Sequence, residues 1–251
     1  MPNTPTQRQK WHIGTSGFSY KEWKGHFYPE KLPAAKMLHF YAERLSAVEI
    51  NSTFYRVPSV AQLEKWAIDV PEHFKFIFKA PRQITHIKRL KDVGESLGHF
   101  FETLTVLGGK LGPVLIQLPP NLKKDMDRLS ACLDTVPEGV KVSVEFRHAS
   151  WFDDEVYGRL RDANAALCVV HSEAGETPFV ATADWGYLRL RNCEYTDEGL
   201  RQWQRHIGQQ PWRAAHVFFK HEDEGTGPLL AARLLKLCQP PENRNEIGNV
   251  I

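Results

Sequence analysis

Charged and aromatic side chains follow directly after short apolar segments of this sequence. In the stretch VSVEFRHASW, residues 142–151, valines suited to a buried strand are followed within a few positions by Glu145, Arg147 and Trp151. A single ending of this kind is often a structural ion pair, because alternate residues of a strand point the same way and can pair. Similar endings follow seven other apolar segments, and this recurrence favours one shared site.

Arginine and lysine outnumber carboxylates in these endings. A concave site with surplus guanidinium groups favours a phosphate or carboxylate ligand, because arginine donates two hydrogen bonds to such anions. The side chains that we predict to bind a phosphorylated or other small anionic ligand are Thr15, Ser16, Tyr20, Asn51, Tyr55, Arg56, Gln117, Arg147, Trp151, Arg189, Arg191, Lys220 and His221.

Catalysis in such a site would need groups that donate and accept protons. Glu49 and Glu145 are the candidates, because two carboxylates on different strands can divide the roles of acid and base. Lys79 and His171, which end two further apolar segments, are candidates to assist them. If the protein is an enzyme, this set predicts a hydrolase or isomerase that acts on an anionic substrate.

A divalent metal is an alternative cofactor, because carboxylates and histidines are common metal ligands. The available side chains are Glu49, Glu145, Glu222, His86, His171 and His221. None of them has a diagnostic local spacing such as HExxH, so the sequence assigns no metal ligand. For His86, a structural role is the better explanation.

Two other functional hypotheses use the same residues. Tyr20, Tyr55 and Trp151 could stack on a base or sugar ring while the cations contact phosphates, as in a nucleic-acid-binding or endonuclease-IV-like protein. The formal net charge of +2 counts against this hypothesis, because it excludes a strongly basic surface coat. A metabolite sensor without catalytic activity would keep the arginines and tolerate loss of Glu145.

The elements that must position these side chains alternate along the chain. Met37, Phe40, Tyr41 and Leu45 have helical spacing, and similar patterns lie between the other apolar segments. The predicted strands are Trp11–Ser16, Ala47–Thr53, Phe74–Ala80, Pro113–Leu118, Val140–Phe146, Ala166–Ser172, Trp185–Arg191 and Ala215–Lys220.

Eight strand–helix units in 251 residues predict a single (β/α)₈ TIM-type barrel, a fold of typically ~250 residues with its active site at the carboxyl ends of the strands. An open doubly wound sheet is the alternative, but the glycine-rich fingerprint after the first strand is missing. We expect the barrel to span residues 11–238, with tails at 1–10 and 239–251.

The bulk composition is typical of a globular protein, with 42% hydrophobic and 25% charged residues. The four cysteines include no CxxC pair, which favours reduced thiols over a zinc ribbon or a thioredoxin-like site. The first residues lack the apolar core of a secretory signal, and no apolar run reaches membrane-spanning length. These features predict a cytoplasmic protein without a membrane partner.

Five motifs in the same order resemble the domain-of-unknown-function family 72, the YecE-like proteins. The resemblance covers about residues 11–237, and the motifs are IGTSGFSYKEWKGHFYPEKLP, VEINSTFYRVPS, FKFIFKAPRQITH, LGPVLIQLPPNLK and VSVEFRHASWF. It implies a TIM-type barrel but no particular reaction. The motif residues that it carries over are Gly14, Thr15, Ser16, Gly17, Tyr20, Trp23, Glu49, Asn51, Thr53, Phe54, Tyr55, Lys79, Thr85, His86, Gln117, Pro119, Glu145, Arg147 and Trp151.

The last two strands depart from the pattern of many family members. This chain reads FFKHEDEGTG where many members resemble YFNN, and it reads YLRLRN where many have His and Gly after YLRL. The additional Arg191, Lys220 and His221 predict a subgroup with a more basic barrel mouth.

Overall fold

Eight parallel strands close into a barrel in the computed structural model, which describes residues 9–192, 194–220 and 224–239. The barrel strands are β1 (Lys10–Ser16), β2 (Ala47–Ile50), β3 (Lys75–Lys79), β4 (Leu111–Gln117), β5 (Val142–Glu145), β6 (Ala166–Ser172), β8 (Trp185–Leu190) and β9 (Ala214–Phe219), and the two-residue β7 (Gly175–Glu176) pairs antiparallel with β6. The sheet order is β5-β4-β3-β2-β1-β9-β8-β6, and pairing of β5 with β6 closes it. The predicted barrel is therefore confirmed, and each predicted strand overlaps an observed one.

Seven α-helices lie within the described part of the chain. They are α1 (Met37–Ala42), α2 (Val60–Asp69), α3 (Gly94–Leu104), α4 (Met126–Asp134), α5 (Asp154–Asp162), α6 (Asp197–Gly208) and α7 (Thr226–Cys238). Side-chain oxygens cap the starts of α2 and α6: Ser59 accepts from the backbone N–H of Gln62, and Thr196 accepts from that of Gly199. None of the helices in the described residues is both long and apolar enough to cross a membrane.

The segment between β6 and β8 differs from the predicted strand–helix repeat. It forms the turn that contains β7 and then continues to β8 without an α-helix. Phe179 occupies the space beside the barrel, with its ring 4.0 Å from that of His206 and 5.6 Å from that of Trp212. Glycine and proline in the sequence EAGETPF disfavour a helix here, so aromatic packing covers this part of the sheet.

The barrel interior is filled in layers by every second strand residue. A small apolar cluster that includes Ala47, Ile77, Leu115 and Tyr187 is separate from the larger cluster between the strands and the helices. Because side chains alternate across a strand, the residues two positions further along the same strands project inward as well. Those positions include Glu49, Lys79, Gln117 and Arg189, so the strand period places these polar groups on top of the interior packing.

Close packing of β1 against β2 requires glycine at one position. A Cβ atom added to Gly14 would lie 1.7 Å from the carbonyl oxygen of Ala47 and 2.7 Å from the hydroxyl of Tyr41. The space is used by Tyr41, whose hydroxyl accepts from the backbone N–H of Thr15 at 2.8 Å and donates to the Ala47 carbonyl at 2.9 Å. This contact fixes the end of β1 beside the site.

Candidate functional site

One arginine joins two carboxylates at the carboxyl end of the barrel. Arg189 of β8 donates from Nη1 to Oε2 of Glu145 on β5 and from Nη2 to Oε1 of Glu49 on β2, each at 2.6 Å. All three side chains are buried, with exposures of 2% or less. The arginine therefore bridges the barrel interior, and the two carboxylates that it contacts come from strands that are not its neighbours.

The acceptor sites of Glu49 are occupied. Its Oε1 atom also accepts from the hydroxyl of Ser16 at 2.7 Å and from Nδ2 of Asn51 at 3.1 Å. Its Oε2 atom accepts from the hydroxyl of Tyr187 at 2.6 Å. Glu49 is thus held by four side chains in one orientation.

A chain of hydrogen bonds runs from Glu145 through Gln117 to Lys79 at the barrel opening. Oε1 of Glu145 accepts from Nε2 of Gln117 at 2.8 Å, and Oε1 of the same glutamine accepts from Nζ of Lys79 at 2.7 Å. The Lys79 ammonium also lies 4.1 Å from the centre of the Phe54 ring. Gln117 therefore orients the lysine, because its amide must place N–H toward the carboxylate and oxygen toward the ammonium.

The protonation of the buried pair follows from its contacts. Burial alone would raise the pKa of Glu49, but the charge of Arg189 and the hydrogen bonds from Tyr187 and Ser16 outweigh burial, and the pKa is lowered. Burial would lower the pKa of Arg189, but the charges of Glu49 and Glu145 raise it above its ordinary value. Glu49 is therefore ionised at neutral pH.

Lys79 is the group whose proton affinity suits chemistry near neutral pH. Burial, followed by the nearby charge of Arg189, lowers the pKa of Lys79 to about 8, although Glu145 and Glu49 partly oppose the shift. A lysine with such a pKa is present in both charge states close to neutral pH. Its amine can therefore donate or accept a proton, whereas an ordinary lysine can only donate.

A cavity of about 310 Å³ opens above these groups. It is lined by Tyr20, Asn51, Phe54, Tyr55, Lys79, Gln117, Arg147, Arg189, Arg191 and Lys220. Five of these side chains are cations, and within the described residues none of the lining side chains is a carboxylate. The carboxylates of Glu49 and Glu145 lie beneath the lining, where Arg189 pairs with both.

The structure brings most of the predicted site residues together around this cavity. Tyr20, Asn51, Tyr55, Gln117, Arg147, Arg189, Arg191, Lys220 and Lys79 line it, and Ser16, Glu49 and Glu145 contact lining residues from below. Thr15 does not line the cavity, because its buried hydroxyl donates to the Gly17 carbonyl at 2.6 Å and lies 2.9 Å from the hydroxyl of Tyr41. Arg56 is exposed outside the lining, and His221 lies outside the described residues.

His171 belongs to a different part of the surface. Its Nδ1 atom is 2.9 Å from the hydroxyl of Tyr195, and its Nε2 atom is 3.2 Å from Nδ2 of Asn192. It lines a separate depression with Tyr195 and Trp203. Ala166 and Cys168 of β6 belong to the interior cluster, so the strand period puts His171 on the outer face of the barrel, and it does not line the cavity.

Trp151 is a core residue in this structure. Its ring is fully buried and stacks on Phe146 with 4.7 Å between ring centres, and its Nε1–H donates to the Leu122 carbonyl at 2.7 Å. It does not line the cavity, whereas Tyr55 does and is 83% exposed. Of these two predicted stacking residues, only Tyr55 is placed to contact a ligand.

Replacing Trp151 with Phe should lower stability without changing ligand affinity. The variant leaves the Leu122 carbonyl without its donor and reduces core volume, and we expect a loss of about 1–2 kcal/mol in the free energy of unfolding. Urea unfolding measures this loss. Weaker anion binding by a variant that is fully folded would instead place Trp151 in contact with the ligand.

Histidines and acids do not assemble into a metal centre in the described residues. No group of three or more His, Cys, Asp or Glu side chains lies close enough together there to hold a metal ion. His86 contacts the hydroxyl of Thr85 through Nδ1 at 2.9 Å and meets the Phe54 ring edge-on. Glu222 and His221 lie outside the described residues.

The sequence prediction missed Tyr187. Its hydroxyl is the one donor to Oε2 of Glu49 within the described part of the chain, and its ring fills the barrel interior. The signal was present, because Tyr187, Arg189 and Arg191 are alternate residues of WGYLRLR and therefore project to the same side of the strand.

Comparison with known proteins supports the fold. The family described as "Protein of unknown function DUF72" matches residues 12–247. UPF0759 protein YunF of Bacillus subtilis is 25% identical over 229 residues, which cover 85% of this chain and 79% of that protein. UPF0759 protein YecE of Escherichia coli K12 is 28% identical over 116 residues, or 46% of this chain and 43% of that protein.

Solved structures have the same architecture. A DUF72 family protein from Thermotoga maritima superposes with a TM-score of 0.81 and 27% identity, covering 91% of this chain and 99% of that one. A second DUF72 family protein, from Enterococcus faecalis, gives a TM-score of 0.72 at 17% identity, covering 92% and 98% of the two chains. The latter similarity concerns the fold alone.

Proposed function

This chain belongs to the DUF72 family, and we propose that it binds a small phosphorylated or otherwise anionic molecule in the cavity at the carboxyl ends of its barrel strands. The observation that carries the proposal is the charge of the lining. Five cations line about 310 Å³ of space, and none of the described lining residues is acidic. Arg189 is paired with Glu49 and Glu145, and Arg191 lies 3.8 Å from Glu145, so the two buried carboxylates offset part of this charge. The five cations still exceed these two carboxylates by three, and the like charges repel one another at short range. A bound anion removes that repulsion and accepts hydrogen bonds from the arginines.

The buried carboxylates have a supporting role in this proposal. Glu49 and Glu145 hold Arg189 in the floor of the cavity, where a lone guanidinium would be too costly to bury. One arginine between two glutamates leaves the floor with a small negative charge. The outer cations, Arg147, Arg191 and Lys220, therefore provide the attraction for the ligand.

Lys79 is the group to which we assign proton transfer, if the ligand is a substrate. It lines the cavity, is oriented by Gln117 and has a pKa of about 8. The oxygens of Glu49 and Glu145 already accept several hydrogen bonds, so we do not assign the proton transfer to them. Acid–base catalysis by these two residues stays a prediction. His171 has no part in this proposal because it does not line the cavity. A hydrolase or isomerase should convert the ligand and lose this activity without Lys79. A non-catalytic sensor should bind the ligand without converting it.

Nucleic-acid binding is the second candidate, and the exposed ring of Tyr55 beside the cations favours it. The cavity volume supports a small ligand rather than a strand of nucleic acid. Affinity for a single-stranded oligonucleotide would fall with salt with a log–log slope of about −0.7 per phosphate contact. Binding of an oligonucleotide that is insensitive to salt, or no binding at all, would remove this candidate.

The proton affinity of Lys79 tests the proposal at a single atom. With lysine labelled by carbon-13 at Cε, nuclear magnetic resonance should show a titration midpoint of about 8 for Lys79, assigned by its loss in Lys79→Arg. Saturating sulfate, whose charge is constant in this range, should raise that midpoint, because a bound anion favours the ammonium form. Sulfate affinity should correspondingly fall as pH rises through the midpoint.

An unchanged Lys79 midpoint in saturating sulfate would contradict anion binding next to this residue. Lys236 on the outer face of α7 is the control, because it is exposed and does not line the cavity. The carbon-13 signal of Lys236 should not shift when sulfate is added, beyond the general effect of ionic strength.

A further inference from the structure

A second basic cavity lies at the opposite, amino-terminal end of the barrel. Its volume is about 760 Å³, larger than that of the cavity described above. Its ionisable lining residues are Lys10, His12, Glu72, His73, Lys75, Glu138, Lys141 and His216, contributed by β1, β3, β9 and the segments before β3 and β5. The two cavities share no lining residue.

Two stacked histidines form its inner wall. The rings of His12 and His216 are 4.8 Å apart and inclined by 16°, and His216 is only 3% exposed. The Tyr187 ring stacks on the barrel side of His216. The Nδ1 atoms of both histidines are buried without a hydrogen-bond partner among the described residues. Unpartnered buried polar atoms of this kind mark places where proteins hold bound water or ions.

The charges around the histidines are mainly positive. Burial, followed by the charges of Lys75, Lys10 and Lys141, lowers the pKa of His12 to about 4, and His73 adds to the effect. The pKa of Lys75 is also lowered, by burial and then by Lys10 and Lys141. These shifts indicate that the positive charges of the three lysines lie close together beside the histidines.

The acidic residues of this lining do not neutralise the lysines. Glu72 is 95% exposed in its side chain, and its carboxylate is 2.9 Å from the ammonium of Lys110, a lysine that does not line the cavity. Glu138 is exposed at the rim. No ion pair joins either acid to Lys10, Lys75 or Lys141 within the described residues. The lysines thus retain an excess of positive charge.

We propose that this amino-terminal cavity is a second anion-binding site, which takes a small phosphate- or sulfate-bearing molecule between Lys10, Lys75 and Lys141 above the stacked histidines. The three lysines neutralise the ligand charge. The anion in turn stabilises a protonated imidazolium at His12, so binding is coupled to proton uptake. This site stands independently of the function proposed for the carboxyl-terminal cavity, because the residues and the end of the barrel are different.

Histidine nuclear magnetic resonance with sulfate as the probe tests the site directly. Without sulfate, His12 should titrate at a midpoint of about 4. With saturating sulfate, the midpoint should rise by about one pH unit or more, because the anion counteracts the lysine charges. The double variant Lys10→Gln/Lys141→Gln should bind sulfate at His12 at least about tenfold more weakly, since each loses a charge-assisted contact.

Two controls separate this site from the other cavity and from general screening. Lys236→Gln removes an exposed lysine that does not line the cavity and should leave the His12 response unchanged. Arg191→Met alters the carboxyl-terminal cavity and should also leave it unchanged. If the His12 midpoint does not change with sulfate, or changes equally in the double variant, the proposal of a second anion site is wrong. A response of Lys79 in that same sample would show that the first proposal survives.

Discussion

Replacing Arg189 with Met should destabilise the protein by about 3–5 kcal/mol at neutral pH. The substitution keeps a long side chain but leaves Glu49 and Glu145 buried without the cation that contacts both at 2.6 Å. Burying an uncompensated carboxylate costs far more than losing a surface ion pair. This is the largest effect on stability that we expect from a single change in the site.

Urea unfolding of Arg189→Met and of a matched control measures this effect. Arg159→Met removes another arginine–carboxylate contact, the one with Asp134 at 2.5 Å, but the Asp134 side chain is 71% exposed. The control should therefore lose about 1 kcal/mol or less. Equal losses in the two variants would show that the Glu–Arg–Glu cluster has no special structural role.

The cost of Arg189→Met should shrink as pH falls. In the wild type the pKa of Glu49 is lowered, so its contribution to stability is present at neutral pH and is lost as pH falls through the folded-state value. In the variant, burial without the arginine raises the pKa of Glu49 instead, and protonation relieves the buried charge. The difference between wild type and variant should therefore be smaller at about pH 5 than at about pH 7.

The double variant Lys79→Met/Arg191→Met should bind anions at the carboxyl-terminal cavity about 100-fold or more weakly. Each side chain lines the cavity and can supply a charge-assisted hydrogen bond, a contact worth about 1.5–3 kcal/mol. Both substitutions keep side chains of similar length, so shape changes little. Affinity for pyrophosphate can be followed through the carbon-13 signal of Lys220, which lines the same cavity.

Loss of two positive charges elsewhere is the appropriate control for this variant. Lys236→Met/Arg161→Met makes the same change in net charge at exposed positions outside the lining. Pyrophosphate affinity should fall by less than about threefold, because exposed surface charges that do not contact the ligand are screened by salt. Similar affinity losses in the two double variants would show that the cavity has no specific anion site.

The fold and most of the site could be read from the sequence. The strands are apolar runs that a closed parallel sheet buries on both faces, and their polar endings coincide at one end of the barrel because all eight run in the same direction. This reasoning placed Lys79, Gln117, Arg147 and Arg191 around one cavity. It needs only the two-residue period of each strand, which is local, and the common strand direction, which follows from the alternation of strands and helices.

Pairing across the barrel could not be predicted in the same way. Arg189 contacts Glu145 and Glu49, which lie 44 and 140 positions away along the chain, and the register of the closed sheet sets these contacts. The sequence therefore predicted Arg189 as a ligand-binding residue, whereas the structure also shows it as the partner of both carboxylates. Trp151 lies after β5 but is held in the core by Phe146 and Leu122, and His171 near the end of β6 is on the outer face of that strand, so neither lines the cavity.

An anomalous diffraction map of crystals soaked in tungstate, a heavy analogue of phosphate and sulfate, tests the central claim most directly. The account predicts a strong peak in the carboxyl-terminal cavity, within hydrogen-bonding distance of Lys79, Arg147 or Arg191, and its loss in crystals of Lys79→Met/Arg191→Met. A map with no peak in that cavity, from crystals in which the cavity is open to solvent, would contradict the proposed anion site.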